Sequence, residues 1–325
     1  MGIKLKKFFL HHKAVAVTLT AAVCLVVIVV LLCLSTYIPR SGSVNYDAAE
    51  VKNNTFISQN ALLGADLSLS DNAPVYTMAA VKNIFENNNT FSADALRIPL
   101  RLTLDGRLIV FGSGTLDSYT DCDEVFKEKN LSPEQKSAGE LKQYNMGYHY
   151  LSQGKYPYRG QADLSYIRII TLEELLDYMR AQENVWKKNY RYFFEIKSEG
   201  GYLSNAVKTL DAVIGKYNIS DRSATLPSSA DAKKIASSTE TAMFYLSCVF
   251  GVGLDNADYS VLILPMSFCG INFAKKSITD YARSKGIAVY FEGIKTAKDA
   301  EKALKAGADG IFAEDPALAY GVLKK

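Results

Sequence analysis

This sequence predicts an α/β chain folded as a (β/α)8 TIM barrel with an N-terminal transmembrane helix, and three observations carry that prediction. From residue 61 onward, β-rich runs alternate with helical stretches, the pattern of a parallel α/β sheet. The predicted strands number eight, at 61–66, 95–103, 191–197, 222–226, 242–247, 260–264, 287–292 and 309–313. A barrel takes about 250 residues, which fits a chain of 325 with an appendage to spare. Ahead of the strands, residues 14–34 form one apolar stretch without a charge.

Taken in order, residues 1–13 are a basic segment with Lys4, Lys6, Lys7 and Lys13. The 21 residues of 14–34 span roughly 31 Å at ~1.5 Å each, the thickness of a bilayer's hydrocarbon core. A cleaved signal peptide has an apolar region of only about 7–15 residues. A lipoprotein signal needs a small residue before its cysteine, whereas Val23 and Leu32 precede Cys24 and Cys33. The stretch therefore reads as an uncleaved, single-pass anchor in the cell membrane. The lysines keep the amino terminus cytoplasmic and leave everything after Ile38 outside. Residues 35–60 are polar and Asn/Ser-rich, the composition of a stalk or lead-in. Residues 61–325 are the barrel.

Within the barrel, residues 97–120 set the local grammar. Ile98, Leu100 and Leu102 alternate with Arg97, Pro99, Arg101 and Thr103, a period of two. Asp105-Gly106 supplies a tight turn, and 107–111 is an extra hairpin arm. A helix is predicted over 171–182, opened by Thr171 as N-cap with Glu174 at the third helical position. Another is predicted over 297–306, closed by Gly307.

Composition excludes several functions. A net charge of +3 implies no polyanionic partner, so no nucleic acid. Cys122, Cys248 and Cys269 are an odd three beyond the anchor, with no zinc spacing and no disulfide framework. Neither a Gly-rich phosphate loop nor a Ser-His-Asp set is present.

The hairpin also resembles the second strand of the glycerophosphodiester phosphodiesterase family, with its pattern E-x-D-V-x-x-T-x-D-G-x-x-V-x-x-H-D-x-x-L-D-R-x-T. Thr103, Asp105, Gly106, Leu116, Asp117 and Thr120 fall on it without a gap. Residues 171–176 are similar to the family's T-L-E-E-x-L helix, and 194–197 to its x-E-x-K strand. Residues 307–311 followed by Glu314-Asp315-Pro316 resemble its closing G-x-D-G-I-x-T-D-x-P. Residues 118–170 would be the long connection between the second and third barrel strands. Its Gly147-Tyr148 and its stretch 156–160 are also similar to family members.

The resemblance implies a TIM barrel and metal-dependent hydrolysis of phosphodiesters in lipid metabolism. Two histidines would serve as general acid and base, and strand acids would hold a divalent cation, Ca²⁺ or Mg²⁺. The family's chemical positions have changed here. Arg97 and Pro99 stand at the two metal-binding acids, and Gly112 and Ser113 at the His-Asp pair. The first-strand His-Arg-Gly aligns with Leu62-Leu63-Gly64. Of the histidines, His11 and His12 precede the anchor and His149 falls in the long connection. Losing each proton-transfer group costs about 10²–10⁴-fold in rate.

Glu195 and Lys197 survive. They lie two apart on one strand and so share a face, toward the end where barrel sites lie. The resemblance makes Glu195 a metal ligand and Lys197 a phosphate contact; the alternative is a barrel-interior ion pair. Arg97 reverses charge at a ligand position, where a guanidinium can pair with Glu195 and take over the cation's electrostatic role. Its alternative is a solvated arginine at the rim. Asp117, Glu314 and Asp315 match loop positions with structural roles.

The sequence thus points to a membrane-anchored, extracytoplasmic, glycerophosphodiester phosphodiesterase-like pseudoenzyme. It would bind a phospho-ligand through Arg97 and Lys197, or a protein partner, without a cofactor. The alternative is an active phosphodiester hydrolase of glycerophosphodiesters using a non-standard residue set, with Glu195 on a divalent cation. A third reading is a structural cell-surface module.

Overall fold

The computed structural model describes residues 54–69, 72–86, 92–161, 164–250 and 258–323. The predicted anchor, 14–34, and the basic segment before it lie outside the described residues. Among the described residues, no helix is long and apolar enough to cross a membrane.

The strands in chain order are β1 (Leu62–Asp66), β2 (Ala95–Leu102), β3 (Leu108–Val110), β4 (Arg191–Ile196) and β5 (Ser223–Leu226). They continue with β6 (Lys233–Lys234), β7 (Val261–Pro265), β8 (Ser267–Phe268), β9 (Ile271–Asn272), β10 (Ala288–Ile294) and β11 (Gly310–Ala313). The sheet runs β6-β5-β4-β2-β1-β11-β10-β7, parallel throughout. At the seam, Ile235 bridges in parallel to Val261. Ser260 N there donates to Lys234 O at 2.9 Å, and Ala236 N to Val261 O at 2.8 Å. The result is a nearly closed, eight-stranded parallel barrel.

Seven of the eight strands are where the sequence predicts them. The run 242–247 is not a strand; it lies inside the helix α5 defined below. Ser237 and Glu240 form a reciprocal cap ahead of it, with Ser237 N donating to Glu240 Oε2 at 2.7 Å and Glu240 N to Ser237 Oγ at 3.4 Å. Phe244, Tyr245, Cys248 and Val249 are then buried at helical spacing. The missing barrel strand is β6, two lysines with no apolar alternation to announce it.

The helices, numbered along the chain, are α1 (Met78–Glu86), α2 (Ala138–Leu141), α3 (Leu172–Trp186) and α4 (Leu203–Tyr217), then α5 (Ser238–Phe250), α6 (Lys276–Ser284), α7 (Ala297–Lys305) and α8 (Pro316–Leu323). Both predicted caps are present. Thr171 and Glu174 close a capping box on α3, and Gly307 follows α7 at φ +82°. The hairpin also folds as read: β3 pairs antiparallel to β2, and Thr103 N donates to Arg107 O at 2.8 Å across the Asp105-Gly106 turn.

Inside the barrel, side chains of one strand parity stack in layers. The lower layer is apolar and includes Ala95, Phe193, Ala288, Tyr290 and Phe312. Phe56, from the segment predicted as stalk, plugs the barrel floor and is fully buried. Asn54 Nδ2 ties the same segment to Ser260 O and Gly286 O, at 2.7 Å each. Gly64 is needed here, because a Cβ would come 2.5 Å from the Phe312 ring. Two positions further along the same strands, the parity that gave Gly64, Ala95, Phe193 and Tyr290 gives Asp66, Arg97, Glu195 and Glu292. The apolar floor thus gives way to a charged upper layer at the barrel mouth.

The long connection is packed against the barrel. Arg101 is buried and pairs with Glu134 of the connection at 3.0 Å. Asp117 accepts from Asn130 N at 2.9 Å and Asp315 from Ala317 N at 2.9 Å, both turn and cap duties.

Candidate functional site

The charged layer lies at the carboxyl ends of the strands, the face where barrel enzymes carry their sites. Asp66 closes β1, and Arg97 is its register partner on β2. Glu195 lies near the end of β4 and Glu292 near the end of β10. Arg97 Nε donates to Glu195 Oε1 at 2.5 Å. Its Nη1 donates to Asp66 Oδ2 at 3.4 Å and to Glu292 Oε2. Lys197 Nζ donates to the other Glu195 oxygen at 2.6 Å. The structure therefore brings together all three residues singled out from the sequence, Arg97, Glu195 and Lys197.

Burial makes this network matter. The Glu195 side chain is 6% exposed and that of Arg97 20%. A buried carboxylate this well paired strongly favours its charged form. Burial alone would raise the Glu195 carboxyl, but Arg97 and Lys197 outweigh it and hold the group below the ordinary carboxylate range. Burial likewise works against the Arg97 cation, and Glu195, Asp66 and Glu292 overcome it, so the guanidinium is held still more firmly protonated than usual.

Asp66 and Glu292 were not singled out from the sequence. The available signal was positional: each is the acid that ends a predicted strand, 61–66 and 287–292. What could not be read is that these strands lie on opposite sides of β11 and close enough for one guanidinium to span both acids.

The resemblance implies a divalent cation at this mouth, and the donor set does not fit one. Such ions take six or more oxygens. Here the three carboxylates converge on a guanidinium, and both Glu195 oxygens already accept from cations. Among the described residues, no group of three or more His, Cys, Asp or Glu side chains is arranged to hold a metal ion.

At Gly112, which the resemblance aligns with a family histidine, a Cβ would come 2.6 Å from Tyr76 Oη. Tyr76 is buried at φ +62° and packs edge-on against Phe111 at 5.1 Å. Burial first, then the neighbouring Tyr119 and Asp66, pushes its hydroxyl well above the ordinary range, so it stays protonated. His149 is half-buried against the Tyr148 ring at 5.1 Å in the long connection.

Two cavities open at the mouth and share Arg97, Glu292 and Pro265. The smaller, about 410 Å³, includes Asp66, Ser68 and Gly293. The larger, about 560 Å³, includes Glu195, Lys197, Leu226, Ile235, Tyr245 and Ile263. A further cavity of about 830 Å³, lined by Asp94, Lys188 and Arg283, lies at the opposite end of the barrel and contains none of the charged mouth.

No family model matches the sequence. A glycerophosphodiester phosphodiesterase of Caldanaerobacter subterraneus subsp. tengcongensis is 26% identical over 263 residues, covering 79% of this chain and 95% of the relative. Among solved structures, the glycerophosphoryl diester phosphodiesterase domain of a Mycobacterium tuberculosis protein superposes with a TM-score of 0.61 at 16% identity, covering 82% of this chain and 100% of that one. A glycerophosphoryl diester phosphodiesterase from Silicibacter pomeroyi gives a TM-score of 0.60 at 14% identity, with 85% and 97% covered. An Oleispira antarctica phosphodiesterase, solved with the product sn-glycerol-3-phosphate, gives 0.58 at 16% identity, with 84% and 99% covered. The sequence relationship and the fold agree with the motifs read above: the chain is a TIM barrel similar in sequence and fold to glycerophosphodiester phosphodiesterases.

Proposed function

We propose that this chain is a non-hydrolytic, ligand-binding member of that family: a membrane-anchored pseudoenzyme whose barrel lies outside the cytoplasm and holds a phosphate-bearing ligand at its mouth. One observation carries this reading. The guanidinium of Arg97 occupies the point where Asp66, Glu195 and Glu292 converge, so the chain supplies as a fixed side chain the positive charge that hydrolysis in the family draws from a metal.

What remains at the mouth can bind but has poor means of moving protons. Glu195 is ionised, yet both its oxygens hold cations. The Tyr76 hydroxyl is kept protonated. Lys197 uses one of its three N–H donors on Glu195 and is 39% exposed. Among the described residues, Arg97 Nη2 has no protein acceptor. These donors can receive phosphate oxygens, charge-assisted bonds being among the stronger ones available. The Oleispira protein, of the same fold, holds a glycerol phosphate, which supports a ligand of that general chemistry. The uncharged stretch 14–34 and the lysines before it support the anchoring and its orientation.

A second reading has its own observation. Three carboxylates from three strands are gathered at one mouth, and an outward swing of Arg97 would leave them facing each other. In that case the chain would be an active phosphodiester hydrolase. An assay of the full chain for release of choline from glycerophosphocholine, with millimolar Ca²⁺ or Mg²⁺ and with chelator, separates the two. No turnover above a protein-free control is expected. Metal-dependent turnover that Glu195→Gln abolishes would establish the hydrolase instead.

A further inference from the structure

We infer that the tyrosine-rich part of the long connection, residues 142–170, is a docking surface for an anionic bilayer, led by the hairpin 151–156. The inference rests on the proposed anchoring and goes beyond it: the anchor holds the chain in the membrane, and this surface lays the barrel against it.

Composition gives the first sign. The stretch holds six of the chain's 20 tyrosines: Tyr144, Tyr148, Tyr150, Tyr156, Tyr158 and Tyr166. Its charges are Lys142, Lys155, Arg159 and Arg168 against Asp163 alone, so this short stretch carries the same +3 as the whole chain.

The fold presents these side chains outward on a built scaffold. Ser152 and Lys155 pair antiparallel, each N–H donating to the other's carbonyl at 2.9 Å. Gln153 and Gly154 between them lie at φ +49° and +73°, the mirror-image turn that suits a tight hairpin. Leu151 and Tyr156 flank this turn and are 56% and 44% exposed, and Tyr166 is 46% exposed. Arg159 is stacked between two rings, its Cζ 4.4 Å from the centre of Tyr148 and 3.8 Å from that of Tyr156. Beneath them, buried Asn145 donates from Nδ2 to Tyr158 O at 2.9 Å and from its backbone N–H to Asp121 Oδ1 at 2.8 Å. A Cβ on Gly147 would come 2.7 Å from the Tyr158 ring. These contacts hold apolar and aromatic surface in water instead of folding it into the core, which marks an interaction site.

Chemistry selects the partner. Tyrosine is favoured where its ring meets hydrocarbon and its hydroxyl meets water, and basic side chains beside it attract anionic headgroups. Lys142 is engaged with Glu174, and Glu124 borders the patch through the Tyr148 hydroxyl. Lys155, Arg159 and Arg168 remain as its cations. A protein partner fits less well, because lysine is depleted in protein interfaces and Lys155 stands at the leading edge here. Mass action favours the bilayer too. Residues 35–53 link the predicted anchor to Asn54 and span at most about 65 Å, so the barrel stays in the membrane's vicinity. A surface affinity too weak to recruit a free protein is then sufficient.

The experiment reads contact by fluorescence quenching of the full chain in nanodiscs containing dibrominated phosphatidylcholine. The chain's single tryptophan, Trp186, lines the cavity at the opposite end of the barrel and serves as the control. The reporter is Tyr156→Trp in a Trp186→Phe background. It is expected to be quenched at least twofold in discs that also contain phosphatidylglycerol, to recover in high salt, and to stay bright in phosphatidylcholine alone. Wild-type Trp186 is expected to stay bright throughout. Adding Leu151→Ser and Lys155→Glu, both at exposed positions, is expected to abolish the quenching with the melting temperature unchanged. A bright reporter, equal quenching in the two kinds of disc, quenching of Trp186 as strong as the reporter's, or quenching that survives the added changes would overturn the inference. Gel filtration in high salt reads the anchor separately. Loss of the chain from the discs there overturns the anchoring and this inference with it, whereas a retained chain with a bright reporter overturns the docking alone.

Discussion

Arg97 Nε and Glu195 Oε1 lie 2.5 Å apart at the barrel mouth, on the neighbouring strands β2 and β4. The pairing neutralises a base and an acid that would each be costly to hold alone in so buried a place. The same guanidinium also reaches Asp66 and Glu292, so one side chain ties together a four-residue site.

Removing the guanidinium should be costly. Arg97→Ala leaves Asp66 and Glu195 buried without a cation, and breaking such a network from one side costs about 3–5 kcal/mol. The partial exposure of Arg97 and Glu292 points to the low end of that range. At about 2–4 °C per kcal/mol for a domain of this size, the melting temperature should fall by roughly 6 °C or more. Pairing Arg97→Ala with Glu195→Gln should cost less than the sum of the two single changes, because the two side chains share one interaction. Additive losses in calorimetry would show that the pair contributes nothing.

The same pair sets a pH dependence. Glu195 has a folded-state pKa below its ordinary value of 4.5. Its contribution is therefore complete above that pH and is lost as the pH falls through the lower folded value. Urea unfolding of the wild type and Glu195→Gln should show a stability gap that is constant from pH 7 to about 5 and narrows below 4.5. A gap that widens on acidification would contradict the sign of the shift.

Restoring a histidine should not restore catalysis. Gly112→His meets Tyr76 Oη at its Cβ, and relieving that clash does not remove Arg97 from the mouth. The variant should lose stability and show no turnover of glycerophosphocholine. Measurable turnover in Gly112→His would mean that a general base was all the site lacked.

Topology can be checked on cells. Protease added outside should reach the barrel and leave the tag-detected residues 1–13 protected. A barrel protected until the membrane is opened would refute the proposed orientation.

Much of this was legible in the sequence because it rests on local periodicity. The alternation through 97–103, the Asp105-Gly106 turn and the Thr171–Glu174 cap all depend on neighbours in the chain. Parity along β4 sufficed to place Glu195 and Lys197 together. The misread run 242–247 shows where local reading stops: Phe244 and Tyr245 suit either a strand or a buried helix, and the cap at Ser237 and Glu240 decides between them. β6 was invisible because its two lysines become a barrel strand only through their pairing with β5 and the bridge at Val261. Asp66 meets Arg97 through the β1–β2 register, and Glu292 reaches it across β11 and β1; both are relationships between strands with no local trace.

The central claim, that Arg97 takes the cation's place, is tested most directly by the melting temperature of the full chain in millimolar Ca²⁺ or Mg²⁺ against chelator. A ligand at about 100 times its dissociation constant stabilises by roughly 2.7 kcal/mol, a shift of several degrees for a domain of this size. The expected result is no shift in the wild type and an upward shift in Arg97→Ser, where the three carboxylates are freed. A clear upward shift in the wild type that disappears in Glu195→Gln would contradict the claim and show a working metal site.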